Sequence, residues 1–257
     1  FVTMVEGWTP GDVTRQIANI HTVFNIVGVL FLLPISSFTI KLSKILVPDK
    51  EAAEDPRRKF KYIDKNMLST PVIAQSQLIK EVDRLGRMAL ENMKLAEQVF
   101  VNSQFDIVDQ VMENEEIIDH ITNKITNYMM DLQAKADMSH EEEVKMGLMY
   151  HVIIDIERIG DYAENVVEYA QDAKKRQIEF SQDANEEIKN IFANVEKTVE
   201  LGLDAFLSGS VEMAEQTTKS EERVDILIEK ATDGHIQRMA AHLCGPAKGV
   251  VFTNLLN

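Results

Sequence analysis

From Gln16 to Ile40 the chain carries no Asp, Glu, Lys or Arg, and the middle of that run reads Val23-Phe24-Asn25-Ile26-Val27-Gly28-Val29-Leu30-Phe31-Leu32-Leu33-Pro34-Ile35. As a helix, such a run reaches about 37 Å, enough to cross a hydrocarbon core of about 30 Å. The competing reading is a buried helix of a soluble core. His21, Asn25, Ser36 and Ser37 dilute the run, and Pro34 is placed to bend it. The run is too long for the apolar part of a signal peptide and lacks a small-residue cleavage pattern. Lys41, Lys44, Lys50, Arg57, Arg58, Lys59 and Lys61 follow it, whereas only Arg15 precedes it. The excess of cations on that side predicts that everything beyond about Val47 is cytoplasmic. The chain opens on Phe1 in mid-sequence style, which reads as the tail of a longer membrane protein.

The rest of the chain is helix-forming. Its 257 residues suggest more than one unit. Gly and Pro are scarce while Ala, Leu, Ile, Glu, Lys and Met abound, so an all-α fold is expected. A net charge of −15 argues against nucleic acid as a partner, since a binder needs clustered Lys and Arg to displace phosphate counterions. The single Cys244 excludes an internal disulfide framework, and no Cys-x-x-Cys or paired-His motif offers a structural zinc site. Neither a Gly-x-Ser-x-Gly elbow, a Cys–His context nor a phosphate-cradling Gly loop is present, so nucleophilic catalysis has no support.

Organisation follows from charge and period. Residues 1–47 form the membrane segment, and 48–77 form a charged connector broken at Ser69-Thr70-Pro71. From about Gln75 apolar residues recur at helical spacing. The inward sets are Ile79, Val82, Leu85, Met88, Ala89 and Met93, then Val111, Ile118, Ile121 and Ile125, then Val152, Ile156, Ile159, Ala163 and Val166. Met129, Met130, Met146 and Met149 read as core filler. Ser139 is placed to cap the third of these helices ahead of Glu141, Glu142 and Glu143. A shift of 106 residues carries Phe100, Gln110, Glu115, Glu116, Asp119 and Lys124 onto Phe206, Gln216, Glu221, Glu222, Asp225 and Lys230. Two tandem three-helix bundles are therefore expected, one over 78–180 and a shorter, incomplete one over 181–257.

Carboxylate pairs at i and i+4 share one helix face. Glu157 and Asp161 form one such pair, Glu115 and Asp119 a second, and Glu221 and Asp225 a third. Glu116 and Glu164 stand close enough to supplement them. Recurrence at matched positions of two repeats favours a carboxylate-lined metal site over an ordinary solvated face, because converging carboxylates repel unless a cation is shared. Oxygen-only donors suit Mg²⁺, Ca²⁺, Mn²⁺ or iron better than structural zinc. A ferritin-like di-iron centre needs Glu-x-x-His motifs, which are absent. His120 and His151 lie near the pairs as further donors.

The run Glu157-Arg158-Ile159-Gly160-Asp161-Tyr162-Ala163-Glu164-Asn165, the run Glu115-Glu116-Ile117-Ile118-Asp119 and the tandem repeat resemble the PhoU family of phosphate-regulatory proteins. That resemblance implies two three-helix bundles whose Glu/Asp-x-x-x-Asp motifs bind surface metal clusters. Separately, Arg15-Gln16-Ile17-Ala18-Asn19-Ile20-His21-Thr22-Val23-Phe24-Asn25 is similar to the last membrane segment of bacterial sodium/phosphate cotransporters related to the type II family, and Leu68-Ser69-Thr70-Pro71 resembles their connector. The Gln-Ser-Ser-Ser motifs of that transport core are absent from this chain.

The expectation from sequence is thus a non-enzymatic C-terminal portion of a sodium-coupled inorganic phosphate transporter of the inner membrane, multi-pass, with a cytoplasmic PhoU-like domain that regulates transport. Its implied partners are phosphate and Na⁺ through a core outside this chain, the lipid bilayer, and a second copy as homodimer. Its implied cofactor is a divalent or trivalent metal, with iron, Mn, Mg, Ca and Zn all open. The alternative is a membrane-anchored PhoU-like signalling module acting on a partner in trans. A carboxylate-metal hydrolase or oxidase is the third reading.

Overall fold

The computed structural model describes residues 7–46, 55–135 and 138–256, with the side chains of 32–46 outside the described set. Among the described residues every regular element is a helix. The chain divides into two compact units, Phe1–Asp55 and Pro56–Asn257.

Among its described residues the first unit carries one long helix, α1 (Val13–Leu46). Asp12 starts it: its Oδ1 accepts the Arg15 N–H at 3.0 Å. Asn25, the polar residue within the apolar run, lies beside His21 one turn earlier, with its Nδ2 3.3 Å from the ring Nδ1. Among the described residues no helix is long and apolar enough to cross a membrane. The part of the expected span from Leu32 onward falls where side chains are not described.

Among its described residues the second unit contains six α-helices, α2 (Pro71–Asn102), α3 (Val108–Lys135), α4 (His140–Lys175), α5 (Gln182–Ser208), α6 (Val211–Ala240) and α7 (Pro246–Leu256). Helices α2, α3 and α4 pack mutually as one bundle, α5 pairs with α6, and the short α7 touches α6 and α4. The apolar period dictates the first bundle. Val82, Leu85, Ala89, Ile118, Ile121 and Ile125 are at most 1% exposed, each removing an apolar side chain from water at about 1.5–3 kcal/mol for the larger ones. Ile79, Met88, Val152 and Ile159 pack partly buried against the same core. Met129, Met146 and Met149 are core residues, but Met130 is half exposed, because the helical step from Met129 turns it about 100° away.

Ser139 caps α4 with a full capping box: its hydroxyl accepts the Glu142 N–H while the Glu142 side chain accepts the Ser139 N–H at 2.8 Å. Pro71 opens α2 at its first turn, where a missing N–H costs nothing, so the helix starts earlier than Gln75 and the connector's last residues, from Pro71 to Gln77, are helical.

Residues 56–70 do not hang free but form a strap across the first bundle, with short 3₁₀ turns at Pro56–Arg58 and Lys65–Ser69. Glu81, fully buried, accepts the Lys61 and Tyr62 N–H groups at 2.9 and 2.8 Å and pairs with Arg84, whose Nε lies 2.7 Å away. Phe60 meets Tyr128 edge to face at 6.2 Å. Arg57 donates to Glu113 at 2.8 Å and to Asn114 at 2.9 Å, and Asn114 in turn donates to the buried Asn92.

The two helix groups meet where α2 lies on α5. Gly86 permits this crossing, since a Cβ there would collide with Leu203. The same crossing carries an acidic pair, Glu97 on α2 and Glu196 on α5. Burial pushes Glu196 up to about 7, helped by a hydrogen bond to the Glu97 carboxyl and by that residue's charge. The folded state therefore holds the Glu196 proton more tightly than the unfolded chain does. That contribution to stability is complete below about pH 4.5 and fades as pH rises through about 7. Glu196→Gln keeps a donor for Glu97 without the charge. Thermal melts from pH 5 to 8 should show the wild type losing more stability across this range than the variant, which melts a few degrees higher at pH 8. Parallel curves for the two proteins would refute the shared proton.

Candidate metal centre

Six of the eight carboxylates singled out in the sequence lie on α3 and α4, whose approach is governed by Gly160. This residue is buried, and a Cβ on it would come 3.3 Å from Ile118 Cγ2. The small residue inside the acidic motif thus lets the two acidic helices close on each other, which places the next residue, Asp161, opposite α3.

Glu115 records the result. Its carboxyl is pushed up to about 7, first by desolvation, then by the negative charges of Glu164, Asp119, Asp161 and Glu116. The structure therefore brings Glu115, Asp119, Asp161, Glu164 and Glu116 into one electrostatic neighbourhood drawn from two helices. Glu157 is half-buried one turn before Asp161 and is absent from the charges that act on Glu115. His151 is exposed, whereas His120 is half-buried with its Nε2 shielded and without a hydrogen-bond partner.

Only part of this acidic face is neutralised. Arg58 of the strap reaches Glu116 at 3.2 Å, an exposed single contact worth about 0–1 kcal/mol. Asp119 Oδ1 accepts from Asn123 at 3.3 Å. Among the described residues, no three His, Cys, Asp or Glu side chains close around a common point as ligands. What the face offers a cation is a crowded set of oxygen donors, one of them desolvated and held against four like charges. Those donors match the hard-cation preference for oxygen. Glu115, Asp119, Asp161 and Glu164 would hold the ion, and the ion would supply the positive charge that this face lacks.

The other acidic pair is differently placed. Glu221 and Asp225 are exposed on α6, and α7, the matching third helix of this group, carries no carboxylate to face them. The structure also makes one pairing that no motif announces. Cys244 Sγ lies 4.0 Å from Nδ1 of His235, because the chain turns back on itself between α6 and α7. His235 is 6% exposed and stacks on Phe252, and burial followed by the Arg238 charge pushes its pKa down.

Comparison with known proteins places this geometry. Residues 82–170, which contain α3 and the acidic stretch of α4, match the family model described as the PhoU domain. The chain carries a PhoU-like domain with an all-helical PhoU-like fold. The structure is similar to the crystal structure of PhoU from Pseudomonas aeruginosa, with a TM-score of 0.64 and 19% identity, covering 69% of this chain and 85% of that one. A homologue named "Putative inorganic phosphate export protein YjbB" from Escherichia coli K12 is 22% identical over 220 residues, 85% of this chain and 40% of that protein. The phosphate-specific transport system accessory protein PhoU homolog of Xylella fastidiosa Temecula1 is 33% identical over 92 residues, 35% of this chain and 38% of that protein. The chain thus spans less than half the length of either relative.

Two outcomes are expected of the acidic face. Millimolar Mn²⁺ should raise the melting temperature of the wild type, by mass action on the folded state, and should leave Glu115→Gln/Asp161→Asn unmoved. Gly160→Val, which forces α4 away from Ile118, should lower the melting temperature in the absence of metal and weaken the Mn²⁺ effect as well. Equal Mn²⁺ shifts in the wild type and the double variant would count against a site on these helices.

Proposed function

We propose that the chain is the C-terminal portion of a phosphate transporter in which a PhoU-like, metal-binding domain regulates transport through a membrane segment. The observation that carries this reading is the reach of the similarity. The match to the protein named for phosphate export covers 220 residues, more than the Pro56–Asn257 unit contains, so it extends into the N-terminal helix. A free-standing accessory protein would account for the helical bundles but not for that extension. The uncharged run Gln16–Ile40 followed by Lys and Arg supports an inner-membrane location with the bundles on the cytoplasmic side.

On this reading phosphate and Na⁺ pass through a core outside this chain, the bilayer surrounds the apolar run, and copies pair as a homodimer. No step of the proposed role needs bond chemistry in the bundles. Their part is to hold a cation on Glu115, Asp119, Asp161 and Glu164, with Glu157 as a further donor one turn away. A cation shifts the domain's conformational balance only by its different affinity for two states. Glu221 and Asp225 would bind a second ion only with donors from another segment. The anchored module acting in trans is the rival, and transport separates the two.

Phosphate flux should be measured in cells making the full-length protein, wild type and Glu115→Ala/Asp161→Ala. A changed rate, or lost response to external phosphate, with normal protein levels is the expected result. Unchanged flux and regulation would favour the rival. Orientation is read independently: in a Cys244→Ser background, a cysteine at the exposed Glu179 should react with an impermeant maleimide only after the cells are opened.

A further inference from the structure

The reversal between α6 and α7 builds a pocket that the proposed role does not use. Two amides close the end of α6: the Leu243 and Cys244 N–H groups both donate to the Arg238 carbonyl, at 2.9 and 3.2 Å, with His242 in the left-handed region at φ 58°. That turn folds Cys244 back along α6, so that its Sγ lies 4.0 Å from Nδ1 of His235. His235 is 6% exposed, and apart from the thiol it has no hydrogen-bond partner among the described residues. Its other nitrogen, Nε2, packs on Gly249 of α7, where a Cβ would come within 3.1 Å, so Nδ1 is the nitrogen left to the thiol. A buried imidazole whose only polar neighbour is a thiol has hydrogen-bonding capacity that packing alone does not satisfy. Both side chains line a cavity of about 210 Å³, whose wall also carries Glu179, Arg238 and Lys248. Arg238 is committed to Glu187 by two bonds of 2.8 and 2.7 Å, whereas Lys248 has no ion-pair partner among the described residues.

We propose that Cys244 is a reactive thiol with His235 as its general base, and that it exchanges with a small zwitterionic peptide disulfide of the glutathione type to carry a mixed disulfide. The wall charges suit such a substrate, with Glu179 placed for an ammonium and Lys248 for a carboxylate. Burial, followed by the Arg238 charge and opposed by Glu187, holds His235 below the ordinary histidine range, so the ring is neutral at pH 7 and able to take a proton. The Cys244 S–H gives its proton to Nδ1 as Sγ attacks one sulfur of the disulfide. A new S–S bond forms, the old one breaks, and the departing thiolate takes the proton back from the imidazolium. One disulfide is consumed and one is made. Cys244 is the single cysteine of the sequence, so no second thiol of the chain can release the adduct, which persists until an external thiol attacks it. The added group occupies a cavity walled by Ala184 of α5, Arg238 of α6 and Phe252 of α7, where it alters how these three helices meet.

The test uses the whole chain with two probes, glutathione disulfide followed by intact-protein mass and the neutral 2,2′-dithiodipyridine followed by absorbance. A free thiol of pKa about 8.5 is already about 3% thiolate at pH 7, so a base can raise the rate by at most about 30-fold. His235→Gln should therefore react about 10-fold more slowly than the wild type with both probes at pH 7. Its rate should climb about 10-fold per pH unit from pH 6 to 8, as an unassisted thiol does, while the wild-type rate changes little. Lys248→Gln should slow glutathione disulfide alone, by about 2- to 5-fold, the range expected for one exposed charge contact. If His235→Gln melts abnormally, the reference becomes the urea-unfolded wild type, which should react about 10-fold more slowly than the folded chain with dithiodipyridine at pH 7. A folded wild type no faster than the unfolded chain, or one whose rate climbs with pH as an unassisted thiol does, refutes the role of His235. If dithiodipyridine reacts fast but glutathione disulfide leaves no adduct, or if Lys248→Gln slows both probes equally, the zwitterionic substrate is refuted.

Discussion

The second unit depends on α2 serving two neighbours at once. One side of this helix closes the first bundle through Val82, Leu85 and Ala89, and the other carries the crossing with α5 at Gly86. A helix buried on two sides must be apolar over a wide arc, yet α2 also carries Glu81, Asn92 and Glu97. Each of these faces a definite neighbour: Glu81 takes the strap N–H groups and Arg84, Asn92 donates to the Val111 carbonyl at 3.1 Å, and Glu97 acts on the Glu196 carboxyl, which is pushed up to about 7 mainly by burial. Buried polar groups without such partners would each cost about 1–3 kcal/mol. The polar residues of α2 therefore fix which segment packs where, while its apolar residues supply the driving force.

The acidic face depends on that frame. Carboxylates gathered on one surface raise the energy of the folded state unless protons or cations offset them. Here the strap cation offsets one edge and the raised pKa of Glu115 marks what remains. The burial of Ile117 and Ile118, next to the outward-facing Glu115, Glu116 and Asp119, holds the crowded charges together against their own repulsion.

Sequence reading reached the helices through period and caps. The inward positions Val111, Ile118, Ile121 and Ile125 are buried, and Ser139 caps α4, because these features are local and the 3.6-residue period is insensitive to tertiary context. The clustering of Glu115 with Asp119, Asp161 and Glu164 was legible only as far as matched spacing allowed. Spacing places residues on a face but does not say which turn of one helix stands beside which turn of another. That depended on Gly160 against Ile118, and it set Asp161 and Glu164, rather than Glu157, in the field of Glu115. The strap was not legible at all. A segment dense in charge reads as a solvated linker, and its docking rests on contacts between residues far apart in sequence, Arg57 with Glu113 and Glu81 with Lys61 and Tyr62. Cys244 and His235 met for a similar reason, a chain reversal that no motif encodes.

The clamp at Glu81 has a mechanical consequence. Force arriving along the chain that overcomes the Arg57 and Phe60 contacts with α3 then meets two amide hydrogen bonds to one buried carboxylate, itself braced by Arg84 on the same helix. Tension is thereby delivered to the body of α2 beyond its first two turns, bypassing the frayable start at Pro71. The helix common to both helix groups takes this load ahead of residues 63–70, which are held separately by the buried Ile63 and Leu68.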